Sequence, residues 1–262
     1  MCIIVCSNDG AIPTLSDLLK MQSANPDGIG IAWREPTTVR FERGIDLVRA
    51  IAVLDKIRRK GLAYILHFRM STIGESGDPA LCHPFPITTD TRLLFAKRGN
   101  WSHVIAHNGH YGRWQSLPGL PPAAQKDRQW SDTAAIAYSL AKNHRVAIQT
   151  KPVLGTSYQR FATLSVLLGV KTFGDWQAYD TEKRILVSNN YWRWRFTYDE
   201  DDADESAETD ACGLPNWSAA DDDRCVFCNK PLTSRDGLNA CRKCTRKYTK
   251  SSKRHKGMRL AN

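Results

Sequence analysis

The sequence has no apolar run approaching the ~20 residues that a helix needs to cross a bilayer, so the expectation is a chain with no membrane partner. Its start shows no basic segment followed by an apolar stretch and a small-residue cleavage site, which argues against a secretory leader and for a soluble, cytoplasmic protein. No internal repeat is present, which sets aside solenoids and propellers. Between 199 and 223 there is not one Lys or Arg, while eleven Asp and Glu crowd the same stretch. An evenly spaced cysteine framework is missing too: of eight cysteines, four fall between 225 and 244. In a reducing compartment that clustering favours a metal site over disulfides.

The 262 residues and net charge of +10 divide into three blocks. Residues 1–198 hold 25 Lys and Arg against 15 Asp and Glu; 199–223 are purely acidic; 224–262 hold 12 bases and the single acid Asp236. Like-charge blocks resist burial and stay solvated. The map is therefore a globular domain over 2–198, an acidic flexible linker over 199–223, and a small basic module over 224–262.

Within the first block, Ile3-Ile4-Val5 reads as a buried strand and Thr14 to Lys20 as a helix with Thr14 or Ser16 at its N-cap. Asn25-Pro26-Asp27-Gly28 is turn chemistry, after which Ile29, Ile31 and Trp33 alternate as a strand. Residues 46–60 place Leu47, Ile51, Leu54 and Ile57 on one helical face, and Gly61 ends the helix. Strands are expected over 62–69, 101–106, 176–179 and 184–188, and helices over 132–142 and 158–168. Strands and helices occur without strict βαβ alternation, which points to stacked layers of the α+β class.

Four polar clusters sit at strand ends or helix starts: Cys2, Arg69 with Thr72, His107-Asn108-Gly109, and Asp132. Position two is where removal of the initiator methionine would leave Cys2 with a free α-amine beside its thiol. The amine titrates near pH ~8 and the thiol near ~8.5, so one residue would hold both nucleophile and base. The competing reading is a start methionine before a core strand that happens to contain cysteine. Hydrolysis of an amide by a thiol also requires an oxyanion hole and groups that orient the substrate. For glutamine, orientation means a cation for the α-carboxylate and an anion for the α-ammonium.

MCIIV at the start, NPDGIGIAW at 25–33, HFRMSTIG at 67–74, CHPF at 82–85, AHNG at 106–109 and SDT at 131–133 together resemble the class II glutamine amidotransferases of the N-terminal-nucleophile hydrolase superfamily, in their stand-alone branch. The likeness is collinear over roughly residues 2 to 190. It implies a four-layer αββα sandwich with Cys2 as nucleophile and its own amine as base. Asn108, through its side chain, and Gly109, through its backbone N–H, would form the oxyanion hole. Arg69 would hold the substrate carboxylate, as guanidinium geometry suits, and Asp132 the α-ammonium. Thr72 would help orient the substrate, and His83 and His107 would shape the pocket. Plainer roles fit the same residues: a surface cation for Arg69, a helix cap for Asp132, packed histidines for His83 and His107, a hairpin turn for Asn108-Gly109. Met70, Ile73, Ala24 and Asn25 stand where the relative that makes glucosamine 6-phosphate has Trp, His, Arg and Gly, which bears on lid closure and acceptor coupling rather than on the thiol.

In the tail, Cys225-x2-Cys228, twelve residues, then Cys241-x2-Cys244 is the spacing of a four-thiolate tetrahedron, a zinc-ribbon-like structural site. Iron is the alternative metal. Phe227, Leu232 and Leu238 are too few to fold so small a module, so metal binding would supply most of its folding free energy. Cys212 lies outside the spacing. Arg242, Lys243, Arg246, Lys247, Lys250, Lys253, Arg254, Lys256 and Arg259, with Tyr248 among them, have the composition of a nucleic-acid phosphate contact, or of a tail that folds onto the acidic linker. Three functions follow: a glutamine-dependent ammonia donor to a separate synthetase, with a base or nucleotide precursor as one acceptor class; a γ-glutamyl amide hydrolase without transfer; or an inactive scaffold whose zinc module binds nucleic acid.

Overall fold

The computed structural model describes residues 2–70, 81–109, 111, 114–125, 130–142, 159–182 and 184–194. In chain order its elements are β1 (Ile3–Ser7), α1 (Leu15–Ala24), β2 (Ile29–Arg34), β3 (Val39–Ile45), α2 (Leu47–Lys60), β4 (Tyr64–Phe68), β5 (Phe85–Pro86), α3 (Thr91–Leu94), β6 (Arg98–Trp101), β7 (His103–Asn108), α4 (Asp132–Lys142), β8 (Arg160–Ser165), β9 (Gly169–Phe173), β10 (Gln177–Ala178), β11 (Ile185–Val187) and α5 (Tyr191–Trp194). Among the described residues the strands form two antiparallel sheets: seven strands in the order β10-β11-β1-β4-β2-β3-β6, and four in the order β5-β7-β8-β9. With helices gathered outside the sheets rather than between successive parallel strands, the class is α+β.

Strand parity explains why β1 reads as an unbroken apolar run. Ile3 and Val5 pack with Leu18, Met21 and Ala24 of α1 and with Ala50, Val53, Leu54 and Ile57 of α2. Ile4 and Cys6, on the opposite side, pack with Val104 and Ala106 of β7 and Ala162 and Leu164 of β8. A third cluster joins Phe85 and Ile105 to Ala134, Ala137 and Leu140 of α4. A strand covered on both faces loses the alternation that marks a half-exposed one. Each fully buried Ile or Leu contributes ~1.5–3 kcal/mol, so β1, wholly interior, is an anchor for both sheets.

The helix ends follow local chemistry. Thr14 Oγ1 accepts from the Asp17 N–H at 3.2 Å, Asp46 Oδ1 from the Arg49 N–H at 2.7 Å, and Ser131 Oγ from the Ala134 N–H at 3.2 Å, each satisfying a donor that the first turn leaves open. Gly61 ends α2 in the left-handed conformation, with φ 59°. None of the described helices is long and apolar enough to cross a membrane.

The helix expected over 158–168 is instead the strand β8 and the turn into β9. Ala162 and Leu164 face the intersheet cluster while Phe161 faces α4, a period of two. Leu167 and Leu168, which lengthen the apolar run into something helix-like, sit on the exposed turn at 83% and 65% accessibility. Thr91–Leu94 form the short helix α3, capped by the Asp90 side chain.

Candidate active site

Cys2 precedes β1 by one residue and shares the parity of Ile4 and Cys6, which turns it toward the side on which the second sheet lies. Its position is fixed through the backbone: β1 is paired with β4 and β11, with Ile3 opposite Phe68 and Val5 opposite Val187, and the Asn189 side-chain amide donates to the Cys2 carbonyl at 2.8 Å. The thiol is half-buried and lies 3.7 Å from the Met70 carbonyl oxygen. Burial pushes its pKa up; the Arg69 charge acts against that rise and the Asp132 charge adds to it. Both charged groups assigned to substrate binding therefore bear on this one thiol.

Arg69 follows directly on β4, the neighbour of β1, and is buried. Its N–H donates to the Gly28 carbonyl at 2.9 Å and its carbonyl accepts from the Asp27 N–H at 3.2 Å, so the 25–28 turn clamps its backbone. Asn25 is buried beneath the same turn, donating to the Phe68 carbonyl at 3.2 Å and receiving the Tyr191 hydroxyl.

Asp132 opens α4 and accepts from the backbone N–H of Tyr111 at 2.8 Å and of Thr133 at 2.7 Å. A carboxylate in the first turn of a helix is well placed relative to the helix dipole, and that placement is compatible with an ammonium-binding role. Its Oδ2 lies 3.6 Å from His107 Nδ1.

Asn108 ends β7 in the four-stranded sheet and is fully buried; Gly109, next along, is exposed. A Cβ on Gly109 would lie 2.7 Å from Gln159 Oε1 and 2.8 Å from His107 Nε2, so the chain passes here only as glycine. The Asn108 amide nitrogen is 2.9 Å from Ser188 Oγ, and Ser188 in turn is locked to β1: the Ile4 N–H donates to its hydroxyl at 2.9 Å, and its own N–H donates to the Ile4 carbonyl at 2.8 Å. Ser188 and Asn189 thus connect the end of β7 to the strand that bears Cys2. The sequence reading passed over both. The available signal was a Ser-Asn-Asn run ending an apolar strand, the same polar-at-strand-end placement that drew attention to Arg69 and Asn108.

His83 is buried in a stack with His67, and the buried His107 is joined to His83 through its backbone N–H. The His67 and His83 rings lie 4.2 Å apart, His67 Nδ1 accepts the His83 backbone N–H at 3.2 Å, and His83 Nδ1 accepts that of His107 at 3.3 Å. His107 stacks on Phe161 at 4.3 Å and its Nε2 faces Gln159 Oε1. Burial drives the pKa of His67 down to about 3 and that of His83 well below its ordinary value, so both rings are neutral at pH 7. A Cβ on Gly30 would fall 1.7 Å from the His83 carbonyl oxygen, which shows how tightly this segment crosses β2.

Thr72 and the four cysteines Cys225, Cys228, Cys241 and Cys244 lie outside the described residues, as does the whole of 199–262. Among the described residues no group of three or more His, Cys, Asp or Glu side chains is placed to hold a metal. What the described residues assemble is a half-buried Cys2 whose thiol feels the charges of Arg69 and Asp132, with a bonded path from its carbonyl through Asn189 and Ser188 to Asn108. No family model matches the chain, and no curated protein matches it.

Proposed function

We propose that the protein is a glutamine amidohydrolase whose nucleophile is Cys2, made amino-terminal by removal of Met1, and which delivers ammonia to a separate acceptor-activating synthetase. The observation that carries this reading is the β1–β4 register, which sets Ile3 opposite Phe68 and so brings Cys2 and Arg69 to adjoining strand ends, with the Asp132 charge also acting on the thiol. The two antiparallel sheets and the three apolar clusters support a four-layer αββα arrangement, with α1 and α2 outside the larger sheet and α4 outside the smaller one.

In the proposed reaction the α-amine of Cys2 takes the thiol proton as sulfur attacks the side-chain amide carbon of glutamine. Negative charge moves onto the carbonyl oxygen, where the Asn108 amide and the Gly109 N–H stabilise it. The C–N bond then breaks, the ammonium of Cys2 returns its proton to the departing nitrogen, and ammonia leaves a γ-glutamyl thioester. Water, deprotonated by the same amine, cleaves the thioester to glutamate and free thiol. Arg69 holds the α-carboxylate and Asp132 the α-ammonium; a carboxylate oxygen that accepts one backbone N–H has a second lone pair to offer. Thr72, His83 and His107 complete the pocket in this reading.

The four cysteines of the tail would hold structural zinc, since four thiolates in paired C-x2-C spacing are its preferred donor set. The basic residues around them suit a nucleic-acid or nucleotide-bearing partner, which would place amidation of a base or its precursor downstream. The proposed location is the cytoplasm.

The test is ammonia release from glutamine by the purified full chain and by Cys2→Ala, with and without a candidate synthetase and its acceptor. Release that requires Cys2 and rises with the partner supports the donor role; release that the partner leaves unchanged favours simple γ-glutamyl hydrolysis. A full chain that releases none, with or without partner, sinks the enzymatic reading.

A further inference from the structure

We infer that Ser188 is a positioning residue that orients the Asn108 side chain, its hydroxyl donating to Asn108 Oδ1 so that the amide nitrogen is the end presented to the reacting oxyanion. The inference rests on the proposed glutamine hydrolysis and concerns how that site obtains its donor.

The count of protons and lone pairs at Ser188 Oγ decides the orientation. A serine hydroxyl has one proton to give and two lone pairs to receive. Ser188 is fully buried, and three N–H-bearing groups face its Oγ: the Ile4 backbone at 2.9 Å, the Asn189 amide at 3.4 Å and the Asn108 amide at 2.9 Å. Asn189 cannot reverse its amide, because its nitrogen already donates to the Cys2 carbonyl at 2.8 Å. Ile4 presents its backbone N–H to this oxygen, and its carbonyl already receives the Ser188 N–H at 2.8 Å. These two donors fill both lone pairs of Oγ. If Asn108 also pointed its nitrogen there, the hydroxyl proton would have no acceptor among these neighbours, while Asn108 Oδ1 is buried with no hydrogen-bond partner among the described residues. One misplaced proton and one orphaned oxygen together cost several kcal/mol.

A half turn of the Asn108 amide about its Cβ–Cγ bond gives that proton an acceptor and leaves N–H groups, rather than an oxygen, facing the unpartnered position. Oδ1 then receives the Ser188 proton at the same 2.9 Å, and the amide nitrogen takes the place of the unpartnered oxygen. A donor at that position is what the oxyanion-hole role requires. Because Ser188 is fastened to Ile4 by two hydrogen bonds and Asn189 to Cys2, the strand that carries the nucleophile also sets the orientation of the oxyanion donor on the other sheet. Nucleophile and oxyanion donor are thereby held in one register.

The test compares the full chain with Ser188→Ala, Asn108→Ala and the double variant, measuring glutamine hydrolysis and the alkylation of Cys2 by iodoacetamide, which forms no oxyanion. Ser188→Ala is expected to lower kcat by ~10–100-fold with KM for glutamine within ~3-fold, since an oxyanion donor is worth ~10²–10³ in kcat and here it is loosened rather than deleted. The double variant should lose no more than Asn108→Ala alone, and alkylation should stay within ~2-fold throughout. Unchanged kcat in Ser188→Ala, losses that multiply in the double variant, or alkylation that falls in parallel would each overturn the inference. If Ser188→Ala does not fold, Ser188→Cys, which donates only weakly, takes its place with the same outcomes. A full chain that does not hydrolyse glutamine instead overturns the reading of the site, and this inference with it.

Discussion

Two cysteines four residues apart, on the same side of the same strand, meet opposite surroundings. Cys6 lies within β1, 1% exposed, among Ile4, Ile65, Ala106 and Leu164, and burial alone pushes its thiol far above the usual range. Cys2 lies just before the strand begins, half-buried, its thiol acted on by the charges of Arg69 and Asp132 and its carbonyl tied to Asn189. Residue type and strand face are shared, so neither decides reactivity. Position along the strand differs: burial raises both thiols, but in the interior nothing opposes it, whereas at the strand end the Met70 carbonyl contact and the Arg69 charge act against the rise. Cys82 is buried as Cys6 is, its pKa raised to about 11 chiefly by burial.

The contrast is broken most severely by removing the sulfur at each place. Cys2→Ala should lower glutamine hydrolysis by ~10⁴-fold or more, as removal of a covalent nucleophile does, while leaving the unfolding midpoint close to that of the unaltered chain. Cys6→Ser should do the reverse, keeping kcat within ~3-fold while losing ~1–3 kcal/mol of stability in urea unfolding, because it buries a hydroxyl among hydrocarbon. Equal loss of activity in the two variants would contradict the distinction. Next in size, Arg69→Ala and Asp132→Ala should each raise KM for glutamine by ~10–100-fold, the worth of a charge-assisted hydrogen bond, with a smaller change in kcat. A pure kcat loss at unchanged KM would remove the substrate-orienting role.

Behaviour with pH separates the interior from the site in another way. Above pH 6.5 the ring of His67 is neutral in folded and unfolded chains alike. Between 6.5 and about 3 the unfolded chain binds a proton that the buried ring refuses, so stability falls as pH drops through that window, by up to ~1.4 kcal/mol per unit. At pH 5 this amounts to about 2 kcal/mol from His67, and His83 shifts in the same direction. Urea midpoints at pH 7 and pH 5 should show the loss, and His67→Asn should flatten it; a pH-independent midpoint would contradict burial of neutral imidazoles. The smallest effect belongs to the tail. Chelation should strip about one zinc per chain by metal analysis, as a single four-thiolate site predicts, yet leave glutamine hydrolysis within ~2-fold. Loss of hydrolysis on chelation would mean that the tail and the catalytic domain are not separable.

Much of the fold was legible where short-range physics decides it. Thr14, Asp46, Ser131 and Gly61 mark helix ends through hydrogen bonds to residues a few positions away, and β1, β2 and β4 declare themselves by uninterrupted burial. The segment at 158–168 misleads because Leu167 and Leu168, exposed on a turn, imitate the continuation of a helical face. The strand β3 escapes notice because Arg40, Glu42, Arg43 and Gly44 interrupt its apolar residues; Val39 and Phe41 are buried only once β3 is paired with β2 and β6 and covered by the intersheet cluster. The candidate site divides the same way. Cys2, Arg69, Asn108 and Asp132 stand out as polar residues closing or opening apolar elements. Ser188 gains meaning only through an antiparallel pairing that spans more than 180 residues of sequence, a long-range contact that no local pattern encodes.

The central claim is that the sulfur at residue two, on a chain that has lost Met1, is the group that attacks glutamine. The most direct measurement is mass-spectrometric mapping of the purified protein after treatment with a diazo-ketone analogue of glutamine. The account predicts one adduct, on an amino-terminal Cys2, absent from Cys2→Ala and suppressed by excess glutamine. An adduct on Cys6, Cys82 or a tail cysteine in its place, or an unlabelled chain that still begins with Met1, would contradict it.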